Sequence, residues 1–171
     1  MFARLILSTW LLGAPMANHA ATPIDTAATQ AAAKALTPQQ KALQAQLNAM
    51  GPQLVKVATQ VAQMIDQDKV GEVWDNASVV AKNIAPRDAF INQIKADRSA
   101  VGPMKSRQLG GVSSSASDGT AGKGSSATPA GTYINVIFAT RFGTSTQAVR
   151  ELVSFHLDTD QNWRVTGYTL R

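Results

Sequence analysis

Apolar residues recur with two different periods along this chain, and the change of period separates a helical part from a sheet part. The first period is a spacing of four and three, typical of amphipathic helices, at Leu43, Leu47, Met50, Leu54, Val57, Val61 and Met64. From residue 104 onward, apolar and polar positions alternate, which is typical of β-strands. The pattern predicts an α+β fold in which N-terminal helices pack on a curved antiparallel sheet of about four strands.

Capping and breaking residues set the predicted helix boundaries. Thr37-Pro38-Gln39-Gln40 has the form of a capping box, so a helix is predicted to begin at Pro38. Gly51-Pro52 is predicted to end this helix and to start a second one over Gln53–Gln67. Two further helices are predicted over residues 70–83 and 86–99.

The second half of the chain predicts four strands, the last three of which are joined by short connections. Asp158-Thr159-Asp160-Gln161-Asn162 is predicted to be a hairpin turn between the last two strands. Short connections between consecutive strands favour an antiparallel meander. The predicted strands are Met104–Val112, Thr132–Phe142, Gln147–Leu157 and Trp163–Arg171.

Residues 1–21 have the three zones of a secretory signal peptide. Arg4 supplies the positive charge, and an apolar run over residues 5–12 is too short to span a bilayer, which needs about 20 residues. Gly13 and Pro15 then break the helix before a series of small residues. We therefore expect a periplasmic or secreted protein with no membrane span after cleavage. An uncleaved N-terminal anchor is the alternative.

The mature chain is predicted to have two parts. Residues 22–51 form an Ala/Gln-rich segment that is loose or helical, and residues 52–171 form a single α+β domain. Within that domain, the Ser/Gly-rich stretch at about 113–129 is predicted to be a disordered loop. We do not interpret it as a phosphate-binding loop, because the strand–loop–helix context and the P-loop spacing are lacking.

Charge and composition restrict the partners and cofactors. The net charge is +5, but the basic residues are scattered singly, so we predict no nucleic-acid partner. The chain has no cysteine, which excludes disulfides, thiolate metal sites and cysteine nucleophiles. Asp66, Asp68 and Glu72 lack the spacing of a calcium loop. We therefore predict neither a metal nor a cofactor, and no residue is assigned as catalytic.

Glu151 is the most informative polar residue, because alternation places it on the same strand face as Val149, Val153 and Phe155. A buried carboxylate needs a cation or hydrogen bonds, and Arg107 is the predicted partner. The first interpretation is a partly buried salt bridge. The alternative is a pocket acid with a raised pKa.

Other polar side chains could line a pocket at the open end of a curved sheet. His156 could act as a general base if it had a partner and an enclosed site, but its place on the polar face of the strand favours a surface histidine. The candidate pocket residues are Arg107, Tyr133, Asn135, Arg141, Glu151, His156 and Tyr168.

The first helical stripe also has two interpretations. Its apolar residues could pack on the core of the domain, or Leu43, Leu47 and Met50 could pack on a partner chain. The second interpretation makes a homodimer possible.

A series of segments in fixed order resembles a bacterial family called domain of unknown function 4019. The similarity covers about Val57 to Arg171, and the ending WRVTGYTLR is its most specific part. The family's Pro-Gly turn is represented here by Pro129-Ala130-Gly131. The earlier segments are WDNASVV, PRDAF, ADR…GPMKSRQL, GTYINVIFATRF and RELVSF. The resemblance implies helices followed by a curved antiparallel sheet, similar to the cystatin or nuclear-transport-factor cone, and it implies no activity.

Three functions are consistent with these features. The leading hypothesis is a non-enzymatic domain that binds a protein or a small ligand, because no nucleophile–base pair or metal constellation is evident. The second is an isomerase or hydrolase that uses a carboxylate in a cone-shaped pocket. The third is a structural or assembly protein that pairs through its N-terminal helices.

Overall fold

The computed structural model describes residues 36–120 and 128–171. In this part of the chain, four helices precede four strands, which confirms the α+β class. The helices are α1 (Pro38–Asp66), α2 (Val70–Asp75), α3 (Val79–Ile84) and α4 (Arg87–Val101), and the strands are β1 (Met104–Ser117), β2 (Gly131–Phe142), β3 (Val149–Leu157) and β4 (Trp163–Leu170). The predicted signal peptide, residues 22–35 and the middle of the predicted loop lie outside the described residues.

The helix α1 is continuous, so the prediction of two helices separated at Gly51-Pro52 is wrong. The predicted capping box is present: Gln40 N donates to Thr37 Oγ1 and Thr37 N donates to Gln40 Oε1. Pro52 lies inside the helix, where it costs about 3 kcal/mol. One face of α1 is buried in the core, and Leu54 and Ile65 are among its buried residues. Burial of each such large apolar side chain stabilises the fold by about 1.5–3 kcal/mol. The burial of this face outweighs the cost of the proline.

The predicted helix over residues 70–83 is divided into α2 and α3, which corrects that prediction. The break lies at Ser78, whose backbone N–H bonds a strand and not the preceding helical turn. Its backbone N donates to Val165 O of β4 at 2.8 Å, while its Oγ accepts from Val80 N and caps α3. A serine that bonds in this way competes with continued helix formation.

The sheet is an open antiparallel meander in the order β1-β2-β3-β4, as predicted. The strand β1 is longer than predicted, because residues 113–117 pair with β2 from Asn135 to Gly131. Backbone pairing determines this extension, since most of these small side chains bury little apolar surface. The serine-rich stretch up to Ser117 is therefore a strand rather than part of a loop.

The core lies between α1 and one face of the sheet, which we call the inner face. Ile134, Val136 and Phe138 of β2 alternate into it as predicted, together with Val153 and Phe155 of β3. The opposite side of the sheet is the outer face. Within residues 36–120 and 128–171, no helix is long and apolar enough to cross a membrane. The cone shape implied by the family resemblance stays a prediction.

Candidate functional site

Glu151 is fully buried on the inner face, where the Arg107 side chain reaches it from β1. Arg107 donates from Nε to Glu151 Oε2 at 2.6 Å and from Nη2 to Oε1 at 3.0 Å. Thr140 Oγ1 also donates to Oε2, and Tyr168 OH donates to Oε1 at 2.7 Å. The pairing expected from the sequence is thus present, and four hydrogen bonds hold the carboxylate.

The ion pair extends into a larger set, which we call the carboxylate–arginine cluster: Asp66, Arg98, Arg107 and Glu151. Arg107 donates from Nη1 to Asp66 Oδ2 at 3.0 Å, and Arg98 Nη2 donates to Asp66 Oδ1 at 2.8 Å. The guanidinium of Arg98 also lies over the ring of Phe142. Two carboxylates and two guanidinium groups balance in charge, and the cluster joins α1 and α4 to the sheet.

Burial and hydrogen bonding together determine the protonation of Glu151 and Tyr168. Burial alone would raise the pKa of Glu151, but hydrogen bonds from Arg107, Thr140 and Tyr168 outweigh it and hold that pKa below its ordinary value. Burial and the charge of Glu151 raise the pKa of Tyr168, so Tyr168 stays a neutral donor. The alternative interpretation, a pocket acid, requires a raised pKa at Glu151, and the pKa is lowered instead.

A second polar cluster lies at the turn between β3 and β4, and we call it the Asp158 cluster: Ser78, His156, Asp158 and Arg164. Asp158 Oδ1 accepts from Ser78 Oγ at 2.5 Å and lies 2.8 Å from His156 Nδ1. Asp158 Oδ2 accepts from Arg164 Nη1 at 3.0 Å. Burial would raise the pKa of Asp158, but these hydrogen bonds lower it, so the carboxylate only accepts and Nδ1 of His156 carries the hydrogen.

His156 is buried, so the prediction of a surface histidine is wrong. The ring lies against Tyr133, and its Nε2 has no hydrogen-bond partner in the described part of the chain. Gly131 is the reason the ring fits, because a Cβ at that position would overlap with Nε2. Gly131 also has φ of 148°, which disfavours other residues. The imidazole is therefore enclosed by protein rather than presented to a substrate.

A groove of about 770 Å³ lies on the outer face, away from Glu151. Its lining is mostly uncharged and polar, with Val80 and Ile84 of α3 also contributing. Within the lining, Ser154 Oγ donates to Asn135 Oδ1 at 2.7 Å, and Tyr133 OH donates to Pro129 O at 2.7 Å. The polar lining residues include Ser115, Ser117, Asp118, Thr128, Tyr133, Asn135, Ser154 and Thr166.

The predicted pocket residues are thus distributed over three places. Arg107, Glu151 and Tyr168 meet at the carboxylate–arginine cluster, and His156 lies in the Asp158 cluster. Tyr133 and Asn135 line the groove. Arg141 is exposed and belongs to neither cluster. Neither Glu151 nor His156 lines the groove or the three smaller cavities described in residues 36–120 and 128–171.

Several residues of these sites were not predicted. Thr140 occupies an inner position of β2 between Phe138 and Phe142, so strand alternation could have identified it. Asp66, Arg98 and Ser78 carry no such signal, because their side-chain contacts to Arg107, Asp66 and Asp158 join parts of the chain that are distant in sequence. Asp158 also bonds its near neighbours His156 and Arg164, but it lies in the predicted hairpin turn, where an aspartate is common. Within the described ranges, no group of three His, Asp or Glu residues could hold a metal ion.

The partner-helix residues lie on or near the core. Leu47 and Met50 pack against the hydrophobic core, and Leu43 is half-buried nearer the start of α1. The interpretation as core packing therefore holds for Leu47 and Met50. Pairing with another chain through this helix stays a prediction.

The fold and these sites define a small α+β domain with an internal ion cluster and an open polar groove. The family model described as "Protein of unknown function (DUF4019)" matches residues 57–168, and the chain belongs to this family. This match agrees with the resemblance stated from the sequence. No curated protein and no solved structure matches the chain.

The two lowered carboxyl pKa values predict loss of stability in acid. Glu151 and Asp158 stabilise the fold while ionised, so their contribution is complete above the ordinary carboxyl range. It is lost as the pH falls below the ordinary carboxyl range, near about pH 4, and through their lower folded-state pKa values. We expect the free energy of unfolding, measured by urea titration, to decline across this window.

A double variant separates these two groups from the other acids. Glu151→Gln with Asp158→Asn is less stable at pH 7, and its stability depends less on pH below pH 4 than that of the wild type. Equal pH slopes in the two proteins would contradict the assignment.

Proposed function

We propose that this protein is an exported, non-enzymatic binding domain that holds a neutral, hydroxyl-rich ligand of the saccharide class in the outer-face groove. The observation that carries the proposal is the chemistry of the groove lining. Asp118 is the one lining residue, among those described, that is charged at neutral pH. The volume of about 770 Å³ lies within the range of roughly 300–1,000 Å³ that is usual for small-molecule sites.

The lining favours a neutral ligand over an anionic one. The lining hydroxyls and the Asn135 amide can each donate and accept hydrogen bonds, as sugar hydroxyls do. A phosphorylated or carboxylated ligand would find no lysine or arginine among the described lining residues, and Asp118 would repel it. Val80 and Ile84 offer an apolar wall for the C–H face of a sugar ring.

The enzymatic alternative has weaker support. Its two candidate residues, Glu151 and His156, do not line this groove. Glu151 is an ionised carboxylate that already accepts hydrogen bonds from Arg107, Thr140 and Tyr168. A general acid would need a proton on that carboxyl at neutral pH. Export is proposed from the arrangement of residues 1–21 alone.

Calorimetric titration with neutral oligosaccharides of hexose and N-acetylhexosamine units tests the proposal. We expect saturable binding that Asn135→Leu weakens at least about tenfold, a loss of roughly 1.4 kcal/mol of binding free energy. Arg141→Leu is the matched control, because Arg141 is exposed on the same strand but does not line the groove. Absence of binding would contradict the proposal, as would turnover of the saccharide that Glu151→Gln abolishes.

A further inference from the structure

Within the described part of the chain, the strand β1 leaves one edge of the sheet open. Over Met104–Ser117, no backbone hydrogen bond beyond the ladder with β2 is formed within residues 36–120 and 128–171. At about 3.3 Å per residue, this strand is roughly 45 Å long. The opposite edge is partly covered, because Ser78 N donates to Val165 O of β4. A long unpaired edge is a template for pairing with another strand.

An apolar groove of about 390 Å³ runs beside the same edge, between α1 and β1. Leu47, Pro52 and Val55 line it on the side of α1, and Leu109 and Val112 line it on the side of β1. Leu109 is 53% exposed although it lies on the inner face of the sheet. The edge therefore carries both a protruding apolar side chain and a groove for one.

We propose that two copies of this chain pair through β1, antiparallel and about a two-fold axis between Gly110 and Gly111. A second copy of the chain is the favoured partner because the edge carries both the protruding Leu109 and a groove that can receive it. A two-fold axis brings each protruding Leu109 to the groove of the other subunit, so one contact is made twice. The two sheets would then join into one sheet of eight strands.

The register of β1 is compatible with this axis. Leu109 lies opposite Phe138 and Val112 opposite Val136, so both point to the inner face, because the strand is irregular between Leu109 and Gly111. Pairing about the glycines sets Leu109 against Val112 of the partner subunit, on the same face. The two glycines present no side chain at the axis.

Charge also permits the pairing. The basic end of β1, with Lys105 and Arg107, would lie against the serine-rich end of the other copy over residues 114–116. Like charges are therefore not opposed, which they would be in a parallel in-register arrangement. The guanidinium of Arg107 is already neutralised by Glu151 and Asp66 within its own subunit.

Sedimentation velocity of the full mature chain tests the pairing. We expect a concentration-dependent dimer, and Leu109→Glu should raise its dissociation constant at least about tenfold by placing a charge in the apolar groove. Val79→Glu is the control, because Val79 is also exposed, at 61%, but lies in α3 and does not line the outer-face groove. A monomer at every concentration, or a dimer that Leu109→Glu does not weaken, would overturn the proposal.

A cross-link gives a second readout that does not depend on Leu109. The chain has no cysteine, and a Cβ at Gly111 would meet nothing within 4 Å. Gly111→Cys should form a disulfide-linked dimer on mild oxidation, because the two cysteines lie beside the axis. Ser145→Cys, in the exposed connection between β2 and β3, should stay monomeric. Equal cross-linking of both variants, or none of Gly111→Cys, would contradict this register.

Discussion

Replacement of Arg107 by methionine is expected to lower the free energy of unfolding by about 3–5 kcal/mol. The side chain is 8% exposed and is the cation that neutralises the fully buried Glu151. Without it, Glu151 must stay ionised without a counterion or take up a proton, and both are unfavourable. Asp66 would keep Arg98 as its partner. Urea denaturation at pH 7 measures the difference.

The double variant Arg107→Met with Glu151→Leu separates the buried charge from lost packing. It removes both ions and should recover much of the stability, because no unpaired charge is left inside. Arg141→Met is the surface control and should leave the free energy of unfolding unchanged, since Arg141 is exposed. A double variant less stable than Arg107→Met alone would contradict this explanation.

Replacement of Asp158 by alanine is expected to cost about 2–4 kcal/mol and to loosen α3. The carboxylate accepts from Ser78, His156 and Arg164, and the first two of these donors are buried. Each buried donor that loses its acceptor costs about 1–3 kcal/mol. Because Ser78 also caps α3, hydrogen exchange at the Val80 amide should accelerate along with the loss of stability.

Two variants test whether the effect comes from the accepted hydrogen bonds. Asp158→Asn keeps one oxygen acceptor and should be less destabilised than Asp158→Ala. Asp160→Ala removes an exposed carboxylate that also bonds Arg164, so it should change stability little. Equal losses in Asp158→Ala and Asp160→Ala would show that Arg164, rather than the buried donors, determines the stability of the turn.

Local patterns predicted most of the fold, because most of its helices and strands have a recognisable apolar period or capping motif within a short stretch of sequence. The alternation of Ile134, Val136 and Phe138 predicted β2 and its inner face, and the capping box at Thr37 predicted the start of α1. The errors occur where tertiary contacts override local signals. Pro52 is carried inside a helix by the packing of its neighbours, and the serines of β1 are held in a strand by β2.

The sites were predicted only in part, for a related reason. Glu151 was identified because a carboxylate on an apolar strand face requires a partner, and Arg107 supplies it. His156 was misassigned because the residues that cover its ring, Gly131 and Tyr133, come from the neighbouring strand β2 and not from its own strand. Of the groove lining, Tyr133 and Asn135 were named from the sequence, but its serines and threonines were not, since they come from several strands and no single segment carries their pattern.

Native mass spectrometry of the full chain, isolated without denaturation, tests most directly whether the outer-face groove holds a neutral saccharide. We expect a retained neutral saccharide mass that is absent from Asn135→Leu and present in Arg141→Leu. A retained anionic ligand, or an identical bare mass for the wild type and Asn135→Leu, would contradict it.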